Sequence, residues 1–159
     1  MVENLEFNLG NLKIDQLSYV YKDIKKQAKI MEDLYGIPKF AQMENITHED
    51  AILRGKEVSI TLNYGFSRLF GVQIELQQPT EACGDCIFKE FLNQGREGLH
   101  AVGMYVEDLQ VTIDELKKRG IEVLQEGKIG KQWVAYFDTE TTFGGLLEFQ
   151  QTLKRRRKK

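Results

Sequence analysis

Two carboxylates in this sequence stand where carboxylates are not usually found. Glu75 lies in VQIELQQ and Glu148 in GGLLEFQQ, each flanked by apolar residues in a strand-like string. A charge in such a string either faces solvent or is kept for binding and acid–base work, because unpaired charge is costly to bury. The recurrence of the same core string favours the second reading. Gln16, in KIDQLSYVY, offers a neutral amide on the strand face that it shares with Ser18, opposite to Asp15, Leu17 and Tyr19. The other chemically able residues promise less. Cys83 and Cys86 form a lone CGDC with no second pair and no nearby histidine, and read as two ordinary thiols at a loop-to-helix junction rather than as a redox pair or half a zinc site. His48 sits in the polar string NITHED and reads as a surface-loop residue.

The elements that must position these residues come in two copies. IDQLSYVYKDI, Ile14 to Ile24, lies 85 positions before LHAVGMYVEDL, Leu99 to Leu109. Both are strand-like and end in an aspartate able to cap a helix, Asp23 and Asp108. A helical stretch follows each, KKQAKIMEDLYGI and QVTIDELKKRGI, closed by Gly36 and Gly120. Each half then runs through β-branched and aromatic strings and closes on IELQQ or LEFQQ, so that Glu75 and Glu148 correspond. By the same offset Ala101 is the twin of Gln16 and His100 the twin of Asp15. His100 is therefore expected to point away from the face of Gln16, hydrogen-bonded between sheet and helix.

Each half reads as strand, helix and about three strands: module one over 12–78, a connector over 79–98 with a short helix near Ile87 to Asn93, and module two over 99–152. The expected fold class is α+β, a single domain over 1–152. Its two βαβββ modules are related by a pseudo-twofold, and curved mixed sheets line a cleft between them. The tail, 153–159, is basic. The aromatic residues Tyr64, Phe66, Trp133, Tyr136 and Phe137 fit core packing singly and an apolar pocket collectively.

Composition narrows the function classes. The chain has 159 residues and 42% hydrophobic content, enough for a core. Its formal charge is −2, but the last six residues are all basic, which leaves residues 1–153 at −8, with 16 Lys and Arg against 24 Asp and Glu. An acidic body argues against a nucleic-acid face. No apolar run approaches the roughly 20 residues that cross a bilayer, and MVENLEFNLG lacks the pattern of a secretory leader. The expectation is a cytoplasmic protein without nucleic-acid or membrane partners.

The ordered blocks IDQLSYVYKDI, VQIELQQP, GREGLHAVGMYVEDL and AYFDTETTFGGLLEF resemble the vicinal-oxygen-chelate superfamily of glyoxalases, bleomycin resistance proteins and extradiol dioxygenases. The likeness covers roughly residues 12 to 152, and is nearest to the glyoxalase-like and methylmalonyl-CoA epimerase-like branch. In metal-dependent members each half gives one ligand from its first strand and one from its last. Carried over, those positions are Gln16, Glu75, Ala101 and Glu148. The resemblance implies Gln16, Glu75 and Glu148 as metal ligands, with Glu75 and Glu148 as the catalytic pair. Ala101 cannot coordinate, so the implied cofactor is a weakly bound divalent ion, magnesium or manganese rather than zinc, or none. Without a metal, two close carboxylates still raise the proton affinity of one of them.

Two functions follow as expectations. One is an isomerase, epimerase or lyase acting next to a carbonyl on a small oxygen-bearing molecule; the alternative is a metal-free binding or resistance-type sequestering protein. A cleft within one chain needs no second subunit, but some members of the superfamily swap halves, so a homodimer stays among the expected partners beside the small-molecule ligand.

Overall fold

Apolar and polar residues alternate along several of the strands, and the computed structural model, which describes residues 8–154, joins ten strands in one curled mixed sheet. The first half supplies β1 (Gln16–Val20), α1 (Ile24–Tyr35), β2 (Ala41–Thr47), β3 (Glu49–Leu53), β4 (Lys56–Glu57), β5 (Thr61–Leu69) and β6 (Val72–Pro79). The connector holds α2 (Ile87–Asn93), where a short helix was expected. The second half supplies β7 (Gly98–Tyr105), α3 (Leu109–Lys118), β8 (Val123–Ile129), β9 (Gln132–Phe137), the single turn α4 (Glu140–Phe143) and β10 (Leu146–Thr152). All of the expected basic tail beyond Lys154 lies outside the described residues.

Both long helices start and stop by the same devices. Asp23 accepts from the Lys26 amide at 3.0 Å and Asp108 from the Val111 amide at 3.1 Å, so each satisfies an otherwise free N–H of a first turn. The closing Gln-Gln pairs add a second cap. Gln78 Oε1 accepts from the Ile24 amide at 3.0 Å, and Gln151 Oε1 from the Leu109 amide at 2.8 Å. Thus the second glutamine of each pair anchors a helix on the convex face. Its neighbour, Gln77 or Gln150, points to the concave one.

The two halves meet at β1 and β7, which run antiparallel in the middle of the sheet with Gln16 opposite Gly103, Leu17 opposite Val102 and Ser18 opposite Ala101. Pairing centred on Leu17 and Val102 is what a twofold relating positions 85 apart requires. On either side the symmetry continues. β6 lies parallel to β1 with Glu75 opposite Ser18, and β10 lies parallel to β7 with Glu148 opposite Gly103.

The first half has more strands than its repeat unit. β2 pairs with β5 at one edge of the sheet, whereas β3 pairs with β8 near the other. Only His48 separates β2 from β3, so the sheet must curl until its two ends approach at that residue. His48 is therefore not on a surface loop, as its polar setting suggested. It is buried, with Nε2 2.6 Å from the Tyr64 hydroxyl, because NITHED is a strand-to-strand crossing.

Helices α1 and α3 cover the convex face. Ile24, Ala28 and Met31 pack on Ile74 and Leu76; Leu109 and Leu116 pack with Phe137, Leu147 and Phe149. Each fully buried side chain of this size contributes about 1.5–3 kcal/mol. Inside the curl, Val20, Leu62, Ala101, Tyr136 and Leu146 join Phe88 and Phe91 of α2. That helix closes one end of the interior and leaves the other end to the cleft. Among the described residues no helix is long and apolar enough to cross a membrane.

Candidate functional site

The open end of the curl is a cavity of about 210 Å³ with an apolar wall that includes Met43, Ile46, Phe66, Ile129 and Val134, and a polar floor that includes Gln16, Glu75, Glu148 and Gln150. The floor residues arrive by alternation from the adjacent strands β6 and β1 and, across β7, from β10, every second residue facing inward. Their convergence needs one small residue. A Cβ at Gly103 would lie 3.1 Å from the Gln16 Cβ and 3.4 Å from Glu148 Oε2, so glycine there lets the two side chains close over β7.

Ser18, the twin of Gly103, sits at the centre. Its Oγ lies 3.1 Å from Glu148 Oε2 and 3.4 Å from Glu75 Oε1, and it accepts from Gln16 Nε2 at 3.0 Å. Gln150 Nε2 donates to Glu148 Oε1 and to Gln16 Oε1, both at 2.8 Å. Gln16 also hydrogen-bonds Glu75, and the Tyr136 hydroxyl hydrogen-bonds Glu148. A serine hydroxyl has one proton and cannot donate to both carboxylates. The arrangement closes when Glu75 carries a proton and donates to Ser18, which donates in turn to Glu148.

Electrostatics supports that order. Burial, and then the Glu148 charge, hold Glu75 well above the usual carboxylate range. Burial pushes Glu148 up to about 7, against the opposing pull of its hydrogen bonds from Ser18, Gln150 and Tyr136. Burial also raises Tyr136 and Tyr64 well above an ordinary phenol, so both are neutral donors at physiological pH.

Of the four positions expected to converge, Gln16, Glu75 and Glu148 do. Ala101 opposes Ser18 on the same face, but it packs in the apolar core with Phe88 and Leu146, against another cavity of the protein, and does not line this one. His100 departs from expectation. A bulge in β7, where Tyr19 opposes Leu99, turns His100 inward against Phe91 and Phe88, at ring-centroid separations of 4.7 and 5.6 Å. Its Nδ1 is buried without a hydrogen-bond partner among the described residues, and burial lowers its pKa to about 4. The bulge does bring the imidazole to the inner side, but towards α2 and not into the carboxylate network.

The donor set does not fit a tightly held transition metal. Gln16 turns its amide nitrogen to Ser18 and Glu75, while its oxygen is taken by Gln150; a flip would set two amide nitrogens against each other. No nitrogen or sulfur ligand joins the carboxylates, and no group of three His, Cys, Asp or Glu residues is placed to hold an ion among the described residues. The cysteines stand elsewhere. Cys86 caps α2 with its Sγ 3.6 Å from that of Cys83, and the hydrogen bond from Cys86 lowers Cys83 to about 6.

Ser18, Gln77, Gly103 and Gln150 were not singled out in the sequence. The signal for two of them was present: Gln77 and Gln150 each follow a key glutamate by two residues, and so share its strand face. A larger cavity, about 320 Å³, lies between α2, the start of β7 and α4. Four of the five charged side chains in its lining form ion pairs, Arg54 with Glu90 at 2.6 and 3.0 Å and Arg96 with Glu140 at 2.5 Å. The smaller cleft, where two buried carboxylates share one hydrogen-bond network, is the better candidate for chemistry.

Residues 15–137 match the family model of the Glyoxalase/Bleomycin resistance protein/Dioxygenase superfamily. No curated protein matches the sequence. Among solved structures, a hypothetical protein from Bacillus halodurans superposes with a TM-score of 0.61 at 20% identity, covering 93% of this chain and 99% of its own. A methylmalonyl-CoA epimerase from Mycobacterium tuberculosis does so with a TM-score of 0.61 at 14% identity, covering 89% and 88%. A Streptomyces coelicolor methylmalonyl-CoA epimerase in complex with 2-nitronate-propionyl-CoA gives 0.58 at 16%, covering 92% and 99%.

Proposed function

We propose, for a chain that belongs to the Glyoxalase/Bleomycin resistance protein/Dioxygenase superfamily, that the cleft binds a small, partly apolar carbonyl compound and moves a proton on the carbon beside the carbonyl. The observation that carries this reading is the Glu75–Ser18–Glu148 cluster, two buried carboxylates joined through one hydroxyl at the floor of an apolar cavity. In it Glu148 is the base. It takes the proton from carbon as the electron pair shifts towards the carbonyl oxygen, and Glu75, the neutral acid, turns its one O–H from Ser18 to that oxygen as the negative charge develops there. Ser18 couples the two. Gln16 and Gln150 hold the carboxylates in place. A neutral carboxylic acid serving as an oxyanion donor is an established way of stabilising an enolate without a metal. We place the activity in the isomerase or epimerase class, independent of a resident ion.

The sequestering alternative rests on Ala101, which fills a ligand position with a methyl group. Substitution separates the two. Glu148→Gln should abolish proton–deuterium exchange on a bound oxo-compound while leaving its affinity within a few fold, because a proton-transfer group acts mainly in the transition state. A change in affinity alone, with no exchange in the parent protein, would support the binder.

A further inference from the structure

One buried polar atom in the cleft has no hydrogen-bond partner among the described residues. Gln77 lies two residues beyond Glu75 on the same face of β6, opposite Val20 of β1 and Tyr64 of β5, at the end where the inner face turns apolar. It lines the cavity floor and is 1% exposed. Its amide nitrogen donates to the Tyr136 hydroxyl at 3.2 Å and also hydrogen-bonds that of Tyr64. The orientation of the amide follows from the network. The Tyr136 hydroxyl hydrogen-bonds the Glu148 carboxylate, which can only accept, so the phenol oxygen must accept from Gln77. Tyr64 is held from its other side by His48 Nε2 at 2.6 Å. With both amide protons spoken for, Gln77 Oε1 is left as a buried acceptor without a hydrogen bond among the described residues.

Buried acceptors are seldom left unpaired, and this one belongs to an amide whose nitrogen is held by two phenols in the cavity wall, which leaves the oxygen to receive a donor from what fills the cavity. We infer that Gln77 is a specificity-determining residue, whose Oε1 accepts a hydrogen bond from a hydroxyl or N–H of the bound ligand. This rests on the reading of the cleft as the binding site. Side chains two residues apart on a strand leave it about 7 Å apart, so the donor lies about that far from the carbonyl oxygen held near Glu75. The walls beside Gln77 are aromatic, with Tyr64 and Phe66 stacked at 5.5 Å. The ligand class is therefore a carbonyl compound on a flat apolar frame with a second, hydrogen-bond-donating group at its far end. A benzene ring with para substituents spans that distance.

Calorimetry with 4-hydroxyacetophenone, 4-methoxyacetophenone and acetophenone tests this on the parent protein and on Gln77→Met. The parent should prefer the hydroxyl compound on the order of tenfold over both others, the scale of one buried hydrogen bond to an otherwise unpaired acceptor. Gln77→Met should erase that preference and leave acetophenone binding nearly unchanged. Equal binding of the three by the parent, as when only a water serves Oε1, overturns the inference, as does a preference that survives in Gln77→Met, or no binding of any of the three. The ligand comparison in the parent stands even if the variant does not fold. Proton exchange without discrimination sinks the role of Gln77 alone; discrimination without exchange sinks the proton-transfer reading alone.

Discussion

Ser18 is the residue on which the carboxylate pair depends. Ser18→Ala leaves two buried carboxylates without the hydroxyl between them, and should lower stability by about 1–3 kcal/mol in denaturant titration. A loss below a few tenths would mean that the two glutamates do not need the bridge. His48 is a second residue with a measurable signature. Burial lowers its pKa to about 4, so the unfolded chain binds its proton first. The neutral imidazole thus contributes stability in full above about pH 6.5, and that contribution is lost as pH falls towards 4. Stability measured across that window should fall less steeply in His48→Asn than in the parent; parallel curves would place His48 in contact with water. Neither role could be read from the residues alone. Ser18 is an ordinary small polar residue until β6 and β10 bring carboxylates to it from either side. His48 looked exposed because its neighbours in sequence are polar, whereas its neighbours in space are Tyr64 and the opposite end of the sheet.

At the scale of elements the repeat made most of the fold legible. Periodicity and capping signals located both long helices, the connector helix and the closing strands, because those signals are local. The hairpin of β3 and β4 was not legible, since its partner β8 is contributed by the other half and only tertiary pairing decides it. The same limit applied to the site. The glutamates stood out as charges in apolar strings, while Gly103 carried no signal, its use being the room that it leaves on β7. Gly103→Ala brings a methyl to 3.1 Å from the Gln16 Cβ and should cost about 1–3 kcal/mol by overpacking, with ligand affinity lost as the floor is pushed apart. Retained affinity and unchanged stability would show that β1 and β7 tolerate the bulk. Asp108→Ala, on the convex face, should cost about 0.5–2 kcal/mol through the lost cap of α3 and leave ligand binding intact.

For the whole molecule, the curl of one sheet built from both halves makes each half dependent on the other. β8 is covered by β3, and the inner core takes residues from both modules and from α2. Module two, expressed as residues 95–154, should lack a cooperative thermal transition, because its inner face is left in water; a sharp transition would mean that the modules are independent domains. In the function proposed above, the cleft is one acid–base unit made by Glu75, Ser18 and Glu148 without a resident metal. The measurement that tests this most directly is the rate of proton–deuterium exchange beside the carbonyl of a bound ketone, before and after exhaustive chelation and in the Glu75→Gln, Glu148→Gln double variant. Exchange should be unchanged by chelation and absent from the double variant. Exchange that disappears on chelation and returns with magnesium or manganese, or that persists undiminished in the double variant, would contradict it.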